Sequence, residues 1–120
     1  MQRYVVLAHD WPSPHYDLML EEQGFLKTWR IPQWPLVAVQ QGKALPDHRL
    51  AYLEYEGQLS NNRGTVRRVA AGTYHTLQHH HNHWVVSLTG AVTGKLTIQD
   101  TGASAQLVWQ EDGTDVQCLT

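Results

Sequence analysis

Residues 8–24 read AHDWPSPHYDLMLEEQG, and the second half of that stretch decides the fold. Side chains along an extended strand alternate between two faces. In HYDLMLE one row is therefore Tyr16, Leu18 and Leu20, an apolar set suited to a core. The other row is His15, Asp17, Met19 and Glu21, on the face away from the core. EQG then supplies a turn, and FLKTWRI follows as the returning strand of a hairpin. Before it, RYVVLAH reads as a strand ending at His9, and DWPSP can fold His9 back toward His15 and Asp17.

The same reading extends along the chain. LVAVQ resumes after Pro32 and Pro35 and meets a turn at QGK. LAYLEYE, GTVRRVA, GTYHTL, HWVVSL, GKLTIQD and AQLVWQE follow as further strands, with QDTG and EDG as turns. No window sustains an apolar repeat of 3.6 residues, although PDHRLAY can begin with one helical turn. About eight strands joined by short turns predict an all-β protein, a small compact β-barrel. With no internal repeat or low-complexity linker, residues 1–120 are expected to form a single domain with a core of its own.

Charged residues make up 17% of the chain and the formal net charge is -2, which excludes a polybasic binder. A local basic patch remains compatible with nucleic acid. The single cysteine, Cys118, cannot close an internal disulfide and is given no role. The apolar run in MQRYVVLAHD is too short for a signal peptide, and no stretch approaches membrane-spanning length. The expectation is a cytoplasmic protein with no membrane partner.

His9, His15 and Asp17 stand in the pattern H-x5-H-x-D. Two imidazoles and one carboxylate can occupy one face of a metal ion and leave positions for substrate oxygens and water. A metal so held can polarise a phosphoryl oxygen and activate water. With eight histidines in the chain, chance pairs are common, and H-x-D alone is a weak signal.

A more specific signal is the order of motifs. HDWPSPHYDLMLEEQGFLKTWRIPQWP resembles the opening of the 3′-phosphoesterase domain of bacterial DNA ligase D, H-x5-HYDLRLE followed by a turn and SWAVP. DHRLAYLEYEGQL, RGTVRRVAAGTYH and WVVSLTGAVTGKLTI are similar to its later motifs, so the resemblance spans nearly the whole chain in order. It implies a β-barrel with a polar groove, acting on DNA or RNA 3′ ends. The implied activity is removal of a 3′-terminal ribonucleoside or a 3′-phosphate, with Mn2+ as cofactor and other divalent metals as substitutes. The ligase and polymerase modules that stand beside this domain in DNA ligase D are not in these 120 residues, so a separate ligase or polymerase is an expected partner.

By the same resemblance, His9, His15 and Asp17 are the metal ligands, and His48 and Tyr52 engage the phosphate as catalytic residues. A histidine can donate to a phosphate oxygen or move a proton near neutral pH, and a tyrosine hydroxyl can donate as charge develops. Glu21 fits a carboxylate that orients a ligand or a substrate hydroxyl.

The chain departs from the family pattern at Met19, where HYDLRLE carries arginine. Methionine cannot reproduce the planar fork of guanidinium donors. The expectation is an activity weakened by this change unless another cation substitutes: Arg30 in TWRIP or Arg63 in NNRGTV. Arg67 is the candidate for a phosphate-backbone contact in TVRRV. The same change also suits an inactive module that binds metal and a nucleic-acid end. A remoter reading is a non-haem iron oxygenase, with His15 and Asp17 completed by His48 or His75. The tract His79, His80, His81 and His83 reads as a mobile loop with adventitious metal affinity. Trp11 and Trp34, in proline-containing loops, are candidates for stacking on a base, and Trp29, Trp84 and Trp109 for core or groove wall.

Overall fold

The computed structural model describes residues 2–112. Nine strands follow in order: β1 Gln2–His9, β2 His15–Glu22, β3 Phe25–Ile31, β4 Val39–His48, β5 Gly57–Gln58, β6 Thr65–His80, β7 His83–Gly90, β8 Gly94–Thr101 and β9 Ser104–Glu111. A 3-10 turn, Leu50–Leu53, lies between β4 and β5. All pairings are antiparallel, in the order β1-β2-β3-β4-β9-β8-β7-β6-β5. β6 also pairs with β1, so eight strands close into a barrel and β5 lies outside the ring. Closure removes the open edges that would otherwise invite pairing with another chain.

Alternation along the first three strands places the core. Tyr4 and Val6 of β1, Leu18 and Leu20 of β2, and Trp29 and Ile31 of β3 point into the barrel with Leu88, Leu96, Ile98 and Leu107. Burying each such side chain contributes roughly 1.5–3 kcal/mol before the entropy of ordering it. The opposite face is not left to solvent. Val5, Leu7, Met19, Leu26, Leu53 and Val66 form a second buried cluster outside the barrel, partly covered by Tyr52 and Leu59.

Three expectations are corrected, two of them by the packing of glycines. QGK is no turn: β4 runs through it, because Gly42 lets the backbone approach β3 and a Cβ there would lie 2.8 Å from the Arg30 carbonyl oxygen. GTVRRVA and GTYHTL are one strand, β6, because Gly72 is a point of close strand approach: a Cβ would lie 1.9 Å from the Thr89 carbonyl oxygen. LAYLEYE is no strand; it opens with the 3-10 turn that PDHRLAY hinted at, and Leu53 roofs the outer cluster. The histidine tract is a hairpin end rather than a loop. His79 and His80 close β6, His83 opens β7, and the His79 ring stacks on Trp84 at 4.3 Å. Trp29 and Trp84 are core as expected, whereas Trp34 packs against the core and does not project as a stacking platform. Cys118 and the end of EDG lie outside the described residues.

Candidate metal centre

The antiparallel register of β1 and β2 sets His9 directly across from His15, and Leu7 across from Asp17. Residues paired in this way project from the same face. The side chains of His9, His15 and Asp17 therefore meet on the outer face of the barrel, at the open end of the second cluster. DWPSP is the connection that makes this register, as its composition suggested.

The geometry is convergent. His9 Nδ1 lies 3.3 Å from Asp17 Oδ2, and His15 Nε2 lies 3.2 Å from Asp17 Oδ1. One ligand atom from each residue falls within 4.8 Å of the others. The side chains are nearly sealed from solvent, at 11%, 6% and 5% exposure respectively.

Each imidazole is held by its other nitrogen. His9 Nε2 donates to the Arg63 carbonyl at 2.9 Å, and His15 Nδ1 donates to the Ser13 carbonyl at 2.8 Å. A carbonyl only accepts, so those nitrogens carry the protons. In the neutral rings the inward nitrogens then present lone pairs to a carboxylate that also offers lone pairs. His9 Nδ1, His15 Nε2 and Asp17 Oδ1 are buried without a hydrogen-bond partner among the described residues. Such a group is costly unless a cation sits among its atoms. Two nitrogen donors and one carboxylate, each imidazole fixed from behind, suit a divalent transition metal.

Beside this cluster is a cavity of about 60 Å³. His48 and Tyr52 line one wall, Arg63 another, and Leu7, Met19 and Val66 give it an apolar floor. The His48 and Tyr52 rings meet edge-on at 5.6 Å. His48 Nδ1 donates to the Pro46 carbonyl at 2.8 Å, which leaves Nε2 as its free ring nitrogen. Met19 is 1% exposed, so it is a packed part of the outer cluster and not a dangling side chain in the groove.

The other sequence candidates divide. Arg63 is brought to the cavity, with Nε and Nη2 resting on the Ser60 carbonyl and hydroxyl at 2.9 and 3.0 Å. Arg30 stands across from Asp17 on β3, and its buried Nε has no hydrogen-bond partner among the described residues. Arg67 pairs with Ala8, one step out of phase with the His9–Val66 pair, so it projects from the other face of β6. Arg68 shares the site's face but is spent on the Leu53 carbonyl. Glu21 is on the site's face of β2 yet four residues from Asp17, and its carboxylate is taken by Arg3 at 2.9 and 3.3 Å. That contact holds the Glu21 carboxyl below its ordinary value. His75 is exposed across from Ser87 on β7, and the third member of the histidine–carboxylate group is His9.

Sequence reasoning missed the struts. Asp10 accepts from Thr65 N at 2.7 Å and from Thr65 Oγ1 at 2.8 Å, and these bonds depress its carboxyl pKa. Gly64, at φ +84, fits beneath Asp10 and Trp11 where a Cβ would lie 2.2 Å from Asp10 Oδ1. The glycine in NNRGTV was the available signal; nothing in the sequence marks Asp10 as its partner.

The class defined by fold and site is an eight-stranded antiparallel β-barrel whose outer face gathers two histidines and a carboxylate that could hold a metal ion, beside a histidine–tyrosine pair. Residues 7–112 match the DNA Ligase D 3′-phosphoesterase domain, and the chain belongs to that family. It is also 40% identical, over 60 residues, to the Multifunctional non-homologous end joining protein LigD of Pseudomonas aeruginosa. That match covers 48% of this chain and 7% of the relative, so the chain corresponds to a small part of the relative's length. Among the described residues, no helix is long and apolar enough to cross a membrane.

Proposed function

We propose that the protein is a metal-dependent phosphoesterase that processes 3′ ends of DNA, releasing a terminal ribonucleoside or a 3′-phosphate to leave a 3′-hydroxyl. The observation that carries this reading is the set of three buried ligand atoms on His9, His15 and Asp17, without hydrogen-bond partners among the described residues, with His9 and Asp17 lining the cavity of His48 and Tyr52. Family membership supports the same class of reaction.

Manganese, the metal expected from the family, would be held by His9 Nδ1, His15 Nε2 and Asp17 and would supply Lewis acidity toward a phosphoryl oxygen. The Arg63 and Ser13 carbonyls keep both imidazoles in the ligating tautomer. His48 presents Nε2 to a phosphate oxygen or a leaving oxygen, where a proton can be given or taken. Tyr52 lies alongside to donate its hydroxyl as negative charge grows. Arg63, which lines the cavity, is the cation nearest the phosphate, and Leu7, Met19 and Val66 supply the apolar part of the lining. RNA ends fit the same contacts. A cytoplasmic place of action follows from this function.

Met19 favours a second reading, in which the cavity binds a nucleic-acid end without turnover, because the arginine of the family motif is absent. End-group analysis separates the two. A primer–template bearing a 3′-ribonucleotide or a 3′-phosphate is incubated with the protein and manganese, with His15→Ala as the control. Conversion to a 3′-hydroxyl, lost in the control, is the expected result. Tight binding of the phosphate end with no conversion would instead establish the binding module.

A further inference from the structure

The loop that carries Arg63 has a second side. There, a cavity of about 360 Å³ is lined by Asp10, Trp11, Gln58, Leu59, Asn62 and Gly64. Leu59 lines this cavity and the one beside His48 and Tyr52, so the two adjoin across a single side chain.

The indole of Trp11 is 44% exposed. Its base is nonetheless fixed. The neighbouring Asp10 carboxylate is clamped on Thr65, and Gly64 fits so closely that a Cβ there would lie 2.6 Å from Trp11 Cβ. The loop is closed by Leu59 N donating to the Gly64 carbonyl at 2.8 Å. Asn61 and Asn62 adopt positive φ of 60 and 54, a conformation asparagine tolerates better than most residues. The side-chain amides of Gln58 and Asn62 have no hydrogen-bond partner among the described residues, so their donors and acceptors are free for a ligand.

The chemistry of this wall differs from that of the catalytic cavity. Its one formal charge is Asp10, and both carboxylate oxygens are already occupied by Thr65. The wall therefore offers no cation for a phosphate. It offers an aromatic face and two amides, the groups that stack on a base and meet its polar edge.

The geometry points to this cavity as a subsite for the nucleobase of the terminal nucleotide, with Trp11 as the stacking platform and Gln58 and Asn62 at the base edge. The inference rests on the end-processing reading, since the adjoining cavity takes the 3′-phosphate of the same nucleotide. Stacking recognises any base by its π face, so the subsite selects for the presence of a base more than for its identity.

The test compares two primer–templates ending in a 3′-phosphate, one with an intact terminal nucleotide and one whose terminal nucleotide lacks its base. Affinity is read by fluorescence anisotropy and turnover by end-group analysis, both with manganese. Wild-type protein should bind the base-bearing end about tenfold more tightly, within the range of base–aromatic stacking. Trp11→Ala should remove that preference without weakening binding of the abasic end, and Trp11→Phe should keep most of it. Equal affinity of wild-type protein for both ends, or an equal loss on both in Trp11→Ala, would overturn the subsite. A base preference that persists without any turnover would leave the subsite standing and remove the enzymatic reading.

Discussion

His9 and Arg63 are 54 residues apart in the chain, yet the imidazole Nε2 of one donates to the carbonyl of the other at 2.9 Å. The same residue that orients the His9 imidazole through its backbone also lines the cavity beside it, with its guanidinium resting on Ser60. Backbone and side chain can be separated by mutation. In Arg63→Ala the carbonyl persists, so metal affinity measured by titration should stay within about twofold. Loss of a charge-assisted contact to phosphate should lower kcat/KM about 10- to 100-fold, with partial recovery in Arg63→Lys. A parallel collapse of metal affinity would show that the loop itself had moved.

Gly64→Ala should disturb both functions together. Its left-handed backbone disfavours a side chain by about 1–2 kcal/mol, and the new Cβ would press on Asp10 and Trp11. The loop must shift, taking the Arg63 carbonyl from His9. Thermal denaturation and metal titration should both report a loss; an unchanged metal affinity would mean that His9 does not need this strut.

Met19 is a floor residue. Met19→Leu keeps volume and should cost less than about 1.5 kcal/mol, whereas Met19→Ala opens a cavity and should cost about 2–5 kcal/mol. Met19→Arg forces a charge into the outer cluster and should lower Tm, but its guanidinium can reach the cavity and raise affinity for a 3′-phosphate end. If chemical denaturation shows the arginine variant folded and its phosphate affinity unchanged, phosphate does not sit over Met19.

Metal should stabilise the fold. At a free concentration 100-fold above Kd the gain is about 2.7 kcal/mol, read as a rise in Tm of several degrees. His15→Ala should abolish the rise. His80→Ala, in the hairpin tract, should leave it intact. A rise that depends on His80 would place the stabilising ion in the tract.

Acid should loosen the struts first. Hydrogen bonds from Thr65 hold Asp10 below its ordinary value of 3.8, and Arg3 holds Glu21 below 4.5. Carboxyls with lowered folded pKa contribute stability above their unfolded values, and that stability is lost as pH falls through the folded ones. The decline should therefore begin near pH 4.5 and steepen below 3.8. Asp10→Asn should flatten its lower part in a Tm-against-pH profile, and an identical profile would assign the decline to other groups.

What the sequence determined by itself was the set of chemical groups and their local phase. Alternation in HYDLMLE was enough to put His15 and Asp17 on one face and Leu18 and Leu20 on the other, because strand period is a property of the backbone alone. The short-turned hairpins of β2–β3 and β7–β8–β9 were legible for the same local reason. The tertiary structure decided what depends on distant backbone. Gly42 and Gly72 look like turn residues until a neighbouring strand is seen to occupy the space of their missing Cβ. The face away from the barrel core became a second core once the 3-10 turn and Leu59 covered it. Glu21 and Asp17 share a row, but only register shows Arg3 claiming the first and leaving the second to two histidines. The fit of Arg63 and Asp10 to this site needs barrel closure between β1 and β6, a long-range pairing that no local pattern specifies.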